Sequence, residues 1–346
     1  RNGKWFGVFG SGSDILPKAN IDIGRSKKGY LYMLDLYSGE LIKKISLNYG
    51  GANHIVSDIS SIDADMNYTS EKIYFGTSYK TSNKWKGNIF SLDIEKMIEV
   101  TGSQKNISWS DISHDGACSV LFIGDYPFTA SPVAVKDAKG DIWVYAGSGK
   151  YYGDIDEKDK SQQIFFGFKD TGKTFNEDNF IDRTNDKTRV EVLDRKEVCI
   201  YDPSAKKFVV KEMPSAVKLV SGRHYEPKDG WKIYLPAGQR IISRPMLYGG
   251  LADFVSYEPE SDVCSYGGSS YLYALEYNTG IAPSNIAILS PDAIAETGSS
   301  EIIIKSNVKI GSGAPVHGEA ILTAGTQKQK EQIRKKIQLT TGAVAE

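Results

Sequence analysis

The sequence predicts an all-β fold, a partial or modified β-propeller with about four blades in this chain. Three observations carry that reading. The 20 Tyr, 13 Phe and 34 Gly suit many short strands joined by tight turns, because aromatic side chains fill a pleated surface and glycine serves positive-φ turn positions. Helical periodicity is scarce. One two-strand module recurs four times in the same order, and a repeated unit of about four antiparallel strands is a propeller blade.

The module opens with a short aromatic strand ending in small residues: KWFGVFGSG from Lys4, KIYFGTS from Lys72, DIWVYAGSG from Asp141 and, more loosely, LADFVSYEP from Leu251. A second strand follows and usually closes on an acidic residue: YLYMLDLYSG from Tyr30, NIFSLDIE from Asn88, QIFFGFKDTG from Gln163 and YLYALEYNTG from Tyr271. A third, apolar strand precedes the pair. Three of these open at a proline, SPVAV from Ser131, RPMLY from Arg244 and APVHGEAIL from Ala314, and a strand's first residue tolerates proline because no ladder bond needs its missing N–H. The equivalent before Lys72 is HIVSDISSIDAD, and LIKKISL from Leu41 and SVLFIG from Ser119 are the candidate fourth strands.

The turn glycines Gly10, Gly76 and Gly147 lie 66 and 71 residues apart, longer than the roughly 40–45 of a WD40 blade, so loops have been inserted. The largest insertion, at about 171–227, is rich in Asp, Asn, Lys and Arg and is expected to separate the third and fourth modules on the propeller's surface. Inserts longer than about 12–15 residues in compact domains are usually functional or disordered, so this one is expected to make partner contacts. The first module lacks an inner strand, so a closed ring needs blades outside this sequence. The organisation read from the chain is a propeller segment over 1–325 and a C-terminal helical tail over 326–346, whose stretch TQKQKEQIRKKIQ reads as a short exposed helix with a solvated charged face.

Composition narrows the function. The 42 Lys plus Arg nearly cancel the 43 Asp plus Glu and are scattered, which leaves no basic stripe for a phosphate backbone and argues against nucleic acid. No apolar run approaches the roughly 18–20 residues a transmembrane segment needs. The opening RNGKWFGVFG is neither a signal peptide nor an initiator context, so the chain reads as part of a longer protein with its targeting signal upstream. Of three cysteines, Cys118 in ACSVLFIG reads as a buried thiol, while Cys199 and Cys264 sit in turn-rich polar sequence equally open to a disulfide and to separate thiols. His54, His114, His224 and His317 show no HxH or HExxH pairing, and no GxSxG elbow or P-loop is present, so the commonest zinc, hydrolase and phosphoryl-transfer signatures are missing.

The sharpest chemical signal is IDADMNYTSEKIYFG, from Ile62 to Gly76. Counting from Asp63, oxygen side chains fall at positions one, three, five and nine as Asp63, Asp65, Asn67 and Glu71, with the main-chain carbonyl of Thr69 at position seven. That alternation resembles the start of an EF-hand loop, and calcium takes 6 to 8 oxygens from such a tight loop. Position six is Tyr68 rather than Gly and position twelve is Tyr74 rather than Glu, so this is not an EF-hand. The flanks read as strands, which makes the loop a link between an inner strand and its neighbour. A polar hairpin with Asp and Asn making only turn hydrogen bonds is the alternative. Two weaker patterns favour plain loops: Asp154, Asp156 and Asp159 are interleaved with Lys158 and Lys160, and Lys139, Gly140 and Asp141 form a turn despite resembling a short Lys-Gly-Asp receptor ligand.

Taken in order, WFGVFGSG with YLYMLDLYSGELIKKISL, IDADMNYTSEKIYFG with GNIFSLDI, SPVAVKDAKGDIWVYAGSGKYY with SQQIFFGFKD, and RIISRPMLYGGLADFVSYEP with CSYGGSSYLYALEYNTG resemble the C-terminal domain of the PilY/PilC family from Lys4 to about Gly280. The resemblance implies an incomplete or modified quinoprotein-like propeller that binds calcium in a DxDxNxxxD loop. Asp63, Asp65 and Asn67 match that pattern, Thr69 falls at its carbonyl position, and Glu71 replaces the last Asp with an arm one methylene longer. It further implies a Gram-negative, non-enzymatic adhesin exported through the periplasm to the pilus tip or outer cell surface. Such a protein supports type IV pilus assembly, opposes retraction and attaches to host or abiotic surfaces. Its partners would be pilin-like (minor pilin) subunits and the missing N-terminal part of the same protein. Two other functions compete: a structural or receptor propeller presenting loops to a protein, and a quinoprotein dehydrogenase. The dehydrogenase reading is disfavoured because YSGELIKKI and YNTGIAPSN lack the tryptophan of the TGxxxW docking motif.

Overall fold

The computed structural model describes residues 5–12, 28–51, 53–82, 84–152, 154–184, 188–192, 196–202, 207–213, 229–260, 268–281, 294–296, 301–305 and 307–312. Blade 1 begins with β1 (Phe6–Gly10), β2 (Gly29–Asp35) and β3 (Leu41–Leu47). Blade 2 follows with β4 (Ile55–Ile62), β5 (Lys72–Thr81) and β6 (Lys84–Asp93). A helical excursion of α1 (Ile94–Thr101), β7 (Asn106–Ser108) and α2 (Trp109–Ser113) then leads into β8 (Cys118–Gly124). Blade 3 holds β9 (Val133–Lys136), β10 (Ile142–Gly147) and β11 (Ile164–Lys169). The insertion contributes β12 (Ile181–Asp182), β13 (Thr188–Val192), β14 (Lys196–Asp202) and β15 (Lys207–Met213) before β16 (Gly230–Tyr234). Blade 4 contains β17 (Met246–Tyr248), β18 (Leu251–Glu258) and β19 (Ser269–Glu276). Last come β20 (Ile294–Glu296), β21 (Glu301–Lys305) and β22 (Asn307–Ser312).

The sheet orders are β1-β2-β3-β7, β4-β5-β6-β8, β12-β16-β11-β10-β9 and β17-β18-β19-β22. Within each of the last three, four strands pair antiparallel as an up-and-down meander. The leading strands also neighbour one another in turn, β1 beside β4, β4 beside β9 and β9 beside β17. Four-stranded meanders arranged with their first strands side by side are propeller blades. Blade 1 is led by β1, the counterpart of β5, and among the described residues no strand pairs with its other edge.

Alternation explains why these segments read as near-continuous aromatic runs. A blade is covered on both faces, so both sets of alternate side chains are apolar. In β11, Ile164, Phe166 and Phe168 face the cluster shared with blade 2, while Phe165 faces the one shared with blade 4, beside Trp231 and Phe254. The repeated glycine has a matching role. A Cβ on Gly10 would lie 2.7 Å from Val56 Cγ1, one on Gly76 would lie 2.7 Å from Phe128 Cβ, and Gly147 is pressed against Ile241. At each seam the glycine lets the next blade's chain come close.

The structure corrects one placement. The insertion at about 171–227 does not separate the third and fourth modules; it interrupts blade 3, because GWKIY returns as β16 and pairs with β11 from Ile164↔Tyr234 to Phe168↔Gly230. Nor is the insertion all surface. Phe175 and Phe180 are buried in the core between blades 2 and 3, β13 pairs with β21, and β14 with β15 form a hairpin. Both excursions begin alike. Just as β7 lies parallel to β3 on blade 1, the chain at Phe175 bridges in parallel to Phe122 on the outer strand of blade 2. The expected fourth strands Leu41–Leu47 and Cys118–Gly124 are present as β3 and β8. The final strand from Ala314, the tail over 326–346 and the Cys199–Cys264 pairing lie outside the described residues.

Candidate metal centre

Residues 63–71 link β4 to β5, the inner strand of blade 2 to its neighbour. They bring one carboxylate oxygen each from Asp63, Asp65 and Glu71 to within 4.8 Å of one another. The loop folds around Asp63: its Oδ1 accepts from the Asn67 N–H (3.0 Å) and its Oδ2 from the Tyr68 N–H (2.7 Å). Asn67 is tied into the same cluster, its N–H and Nδ2 donating to Asp65 at 3.1 and 2.8 Å. The Thr69 N–H donates to Asn67 Oδ1 (2.7 Å). The sharp turn puts Met66 and Tyr68 in the left-handed region, at φ 61° and 67°. Tyr68 stands at the position where an EF-hand has glycine and takes the conformation glycine takes easily, at a cost of about 1–2 kcal/mol for an L side chain.

Glu71 is anchored on both sides, its N–H donating to Ile62 O (3.1 Å) and its carbonyl accepting from the Ile94 N–H (3.0 Å). Its Oε2 accepts from the Ala64 N–H (2.7 Å), while Oε1 is buried with no hydrogen-bond partner among the described residues. Among those residues no Lys, Arg or His forms an ion pair with Asp63, Asp65 or Glu71. Carboxylates this close repel one another. An oxygen-only set with one buried, unpaired carboxylate oxygen fits a hard cation, and the absence of sulfur and imidazole at the loop does not suit zinc.

Sequence reading missed the loop's surroundings. Lys136 Nζ donates to the Ala64 carbonyl (3.1 Å), and Lys72 Nζ lies 3.1 Å from Asp170 Oδ2. These partners are 72 and 98 residues apart in the chain, so no local pattern signals them.

The second acidic loop is also corrected. It is neither a solvated loop nor an open cation site, because Asp156 is 2% exposed and pairs with the buried Lys150 ammonium. Asp159 Oδ2 lies 3.3 Å from the same ammonium. Burial works to raise the Asp159 carboxyl, but the Ser161 N–H and Lys150 outweigh it and hold it below the usual range. Arg240 closes the loop from beside blade 4, its guanidinium donating to the carbonyls of Asp156 (2.6 Å) and Asp159 (2.5 Å). Lys139, Gly140 and Asp141 do form the β9–β10 turn, where the Asp141 carboxylate is held by Lys169 at 2.7 Å. Cys118 is buried, and burial pushes its thiol up to about 12. His54 is buried between the Thr77 hydroxyl (3.1 Å) and the Tyr49 carbonyl (2.9 Å), and burial lowers its pKa, which suits a structural, neutral imidazole.

Fold and loop together define a class: a blade-built, propeller-type chain with an oxygen-lined acidic loop in one blade. No family model matches the chain. It is 26% identical over 355 residues, 93% of this chain and 21% of the relative, to a protein named type IV pilus biogenesis factor PilY1 homolog from Xylella fastidiosa (strain Temecula1 / ATCC 700964). A second match of the same name and organism is 26% identical over 187 residues, 50% of this chain and 14% of the relative. These matches support a PilY1-type family for the chain, which spans about a fifth of the length of the first relative. Among solved structures, Drosophila Plexin A in complex with Semaphorin 1b matches at a TM-score of 0.34 and 11% identity, covering 87% of this chain and 59% of that one. The WD40 domain of SCAP from fission yeast matches at 0.16 and 11%, covering 84% and 73%. At such scores the fold rests on the strand orders and the neighbouring of the leading strands. No helix among the described residues is long and apolar enough to cross a membrane.

Proposed function

We infer that this chain is the calcium-binding propeller segment of a type IV pilus biogenesis factor that acts outside the cell as a tip-associated adhesin, without enzymatic activity. The observation that carries the pilus assignment is the likeness to PilY1 homologs along 93% of the chain. Calcium is supported by the convergence of Asp63, Asp65 and Glu71 around a loop that also carries Asn67 and Thr69. Side chains of Asp63, Asp65, Asn67 and Glu71 and the Thr69 carbonyl would ligate the ion, with water completing a shell of 6 to 8 oxygens. In this reading the propeller is a rigid scaffold whose loops meet pilin-like subunits and the surface being colonised. The ion orders one of those loops, and support of assembly, resistance to retraction and attachment follow from the scaffold's hold on the pilus.

A strain lacking this segment should assemble fewer pili and attach poorly, and a strain carrying Asp65→Ala should respond to calcium less than wild type in both assays. Normal pilus number and attachment without the segment would defeat the assignment. A propeller that only presents loops to a protein partner predicts normal attachment by a strain whose pili are intact.

A further inference from the structure

We propose that the state of the 63–71 loop sets the rigidity of the seam between blades 2 and 3, with Lys136 and Asp170 as the residues that transmit it. This rests on the calcium reading of the loop and specifies how the site regulates the rest of the molecule. The peptide unit at Ala64 lies between two of the three converging carboxylates, Asp63 and Asp65. Its N–H donates to the third, Glu71 Oε2 (2.7 Å), and its residue's carbonyl accepts from Lys136 Nζ (3.1 Å). Lys136 is the last residue of β9, the inner strand of blade 3. Drawing the Glu71 carboxylate into a cation's shell therefore repositions the residue that Lys136 holds.

The other end of the loop is tied across the same seam. Lys72 directly follows Glu71, and its ammonium lies 3.1 Å from Asp170 Oδ2. Tyr74, two residues further on and fully buried, donates to that same oxygen at 2.8 Å. Burial first, and the Asp170 charge second, hold the Tyr74 phenol far above its ordinary range, so it remains a donor. Asp170 belongs to blade 3: it follows β11, its N–H donates to Ile142 O (2.8 Å) and its Oδ1 accepts from the Gly172 N–H (3.1 Å). With a side chain 1% exposed, this carboxylate makes charge-assisted bonds in a low-dielectric setting, where they are strongest. Ala64 and Tyr74 both pack on the core cluster that fills the seam. A loop pinned at both ends to the neighbouring blade cannot order or loosen without that blade registering it.

The test is amide hydrogen exchange with and without calcium on wild type, Lys136→Met and Asp170→Asn, with calcium uptake measured on each protein by calorimetry. In wild type, calcium should slow exchange on the order of tenfold in residues 63–71 and also in β9 and β11. In Lys136→Met the uptake and the loop's protection should persist while the response of β9 falls away, and Asp170→Asn should do the same for β11. Lys136 is exposed, so its variant folds even if Asp170→Asn does not. The proposal is overturned if wild type binds calcium and blade 3 does not respond, or if blade 3 responds as fully in Lys136→Met as in wild type. A wild type that takes up no calcium removes the metal reading, and this inference with it, and calorimetry separates that failure from the others.

Discussion

The two acidic loops, 63–71 and 154–159, look alike as sequence and differ in the positive charge the fold brings to them. In the second, Lys150 and Arg240 bring positive charge from within the chain, and Asp156 is buried against the Lys150 ammonium. In the first, three carboxylates converge with no ion-pair partner among the described residues, and one Glu71 oxygen is buried and unpaired. What distinguishes the two loops is therefore whether the chain itself supplies the countercharge, rather than the density of Asp. The chain carries one acidic loop whose countercharge comes from its own residues and one whose carboxylates have no such partner among the described residues.

The largest expected effect breaks the latch. Lys150→Met leaves the Asp156 carboxylate buried without its ion-pair partner, which should cost about 3–5 kcal/mol, read as a lower thermal midpoint with and without calcium. Chelation should act on the other loop only. At free calcium 100 times the dissociation constant the proposed ion would contribute about 2.7 kcal/mol, so a chelator should remove that much from wild type and nothing from Asp65→Ala, while Lys150→Met should keep its full calcium response. A smaller change sharpens the picture of the empty loop. Tyr68→Gly removes the left-handed strain at φ 67° and should stabilise the chelated protein by up to about 1 kcal/mol, part of the 1–2 kcal/mol strain being offset by glycine's entropy. Unchanged melting in Tyr68→Gly would contradict the strain argument.

Acid probes the latch by a different route. The folded Asp159 carboxyl titrates below its ordinary 3.8, so the unfolded chain binds more protons in between and stability rises with pH there. That contribution is fully present above about 3.8 and is lost as pH falls through the lower folded value. Asp159→Asn should flatten the stability profile in that window, and an unchanged profile would show that Asp159 is not held by Lys150 and Ser161.

Much of this was legible in the chain because it is local. Strands buried on both faces leave aromatic runs such as QIFFGF, and seam glycines at Gly10, Gly76 and Gly147 recur because each admits the next blade. The convergence of Asp63, Asp65 and Glu71 was legible because these carboxylates recur within nine residues. Contacts that close over long separations left no such trace. GWKIY could not be assigned to blade 3 because the insertion parts it from β11, and nothing near GDIDEKDK announces that Arg240 will cap it, 84 residues from Asp156. The backbone at Tyr68 was hidden for another reason: a tyrosine carries no signal for the left-handed region, and only the hydrogen bonds around Asp63 impose it.

Calcium titration by calorimetry of wild type beside Asp65→Ala bears most directly on the contrast between the loops. One calcium should bind wild type and Lys150→Met, and none should bind the 63–71 loop of Asp65→Ala. Equal binding by wild type and Asp65→Ala would return the loop to an ordinary acidic hairpin.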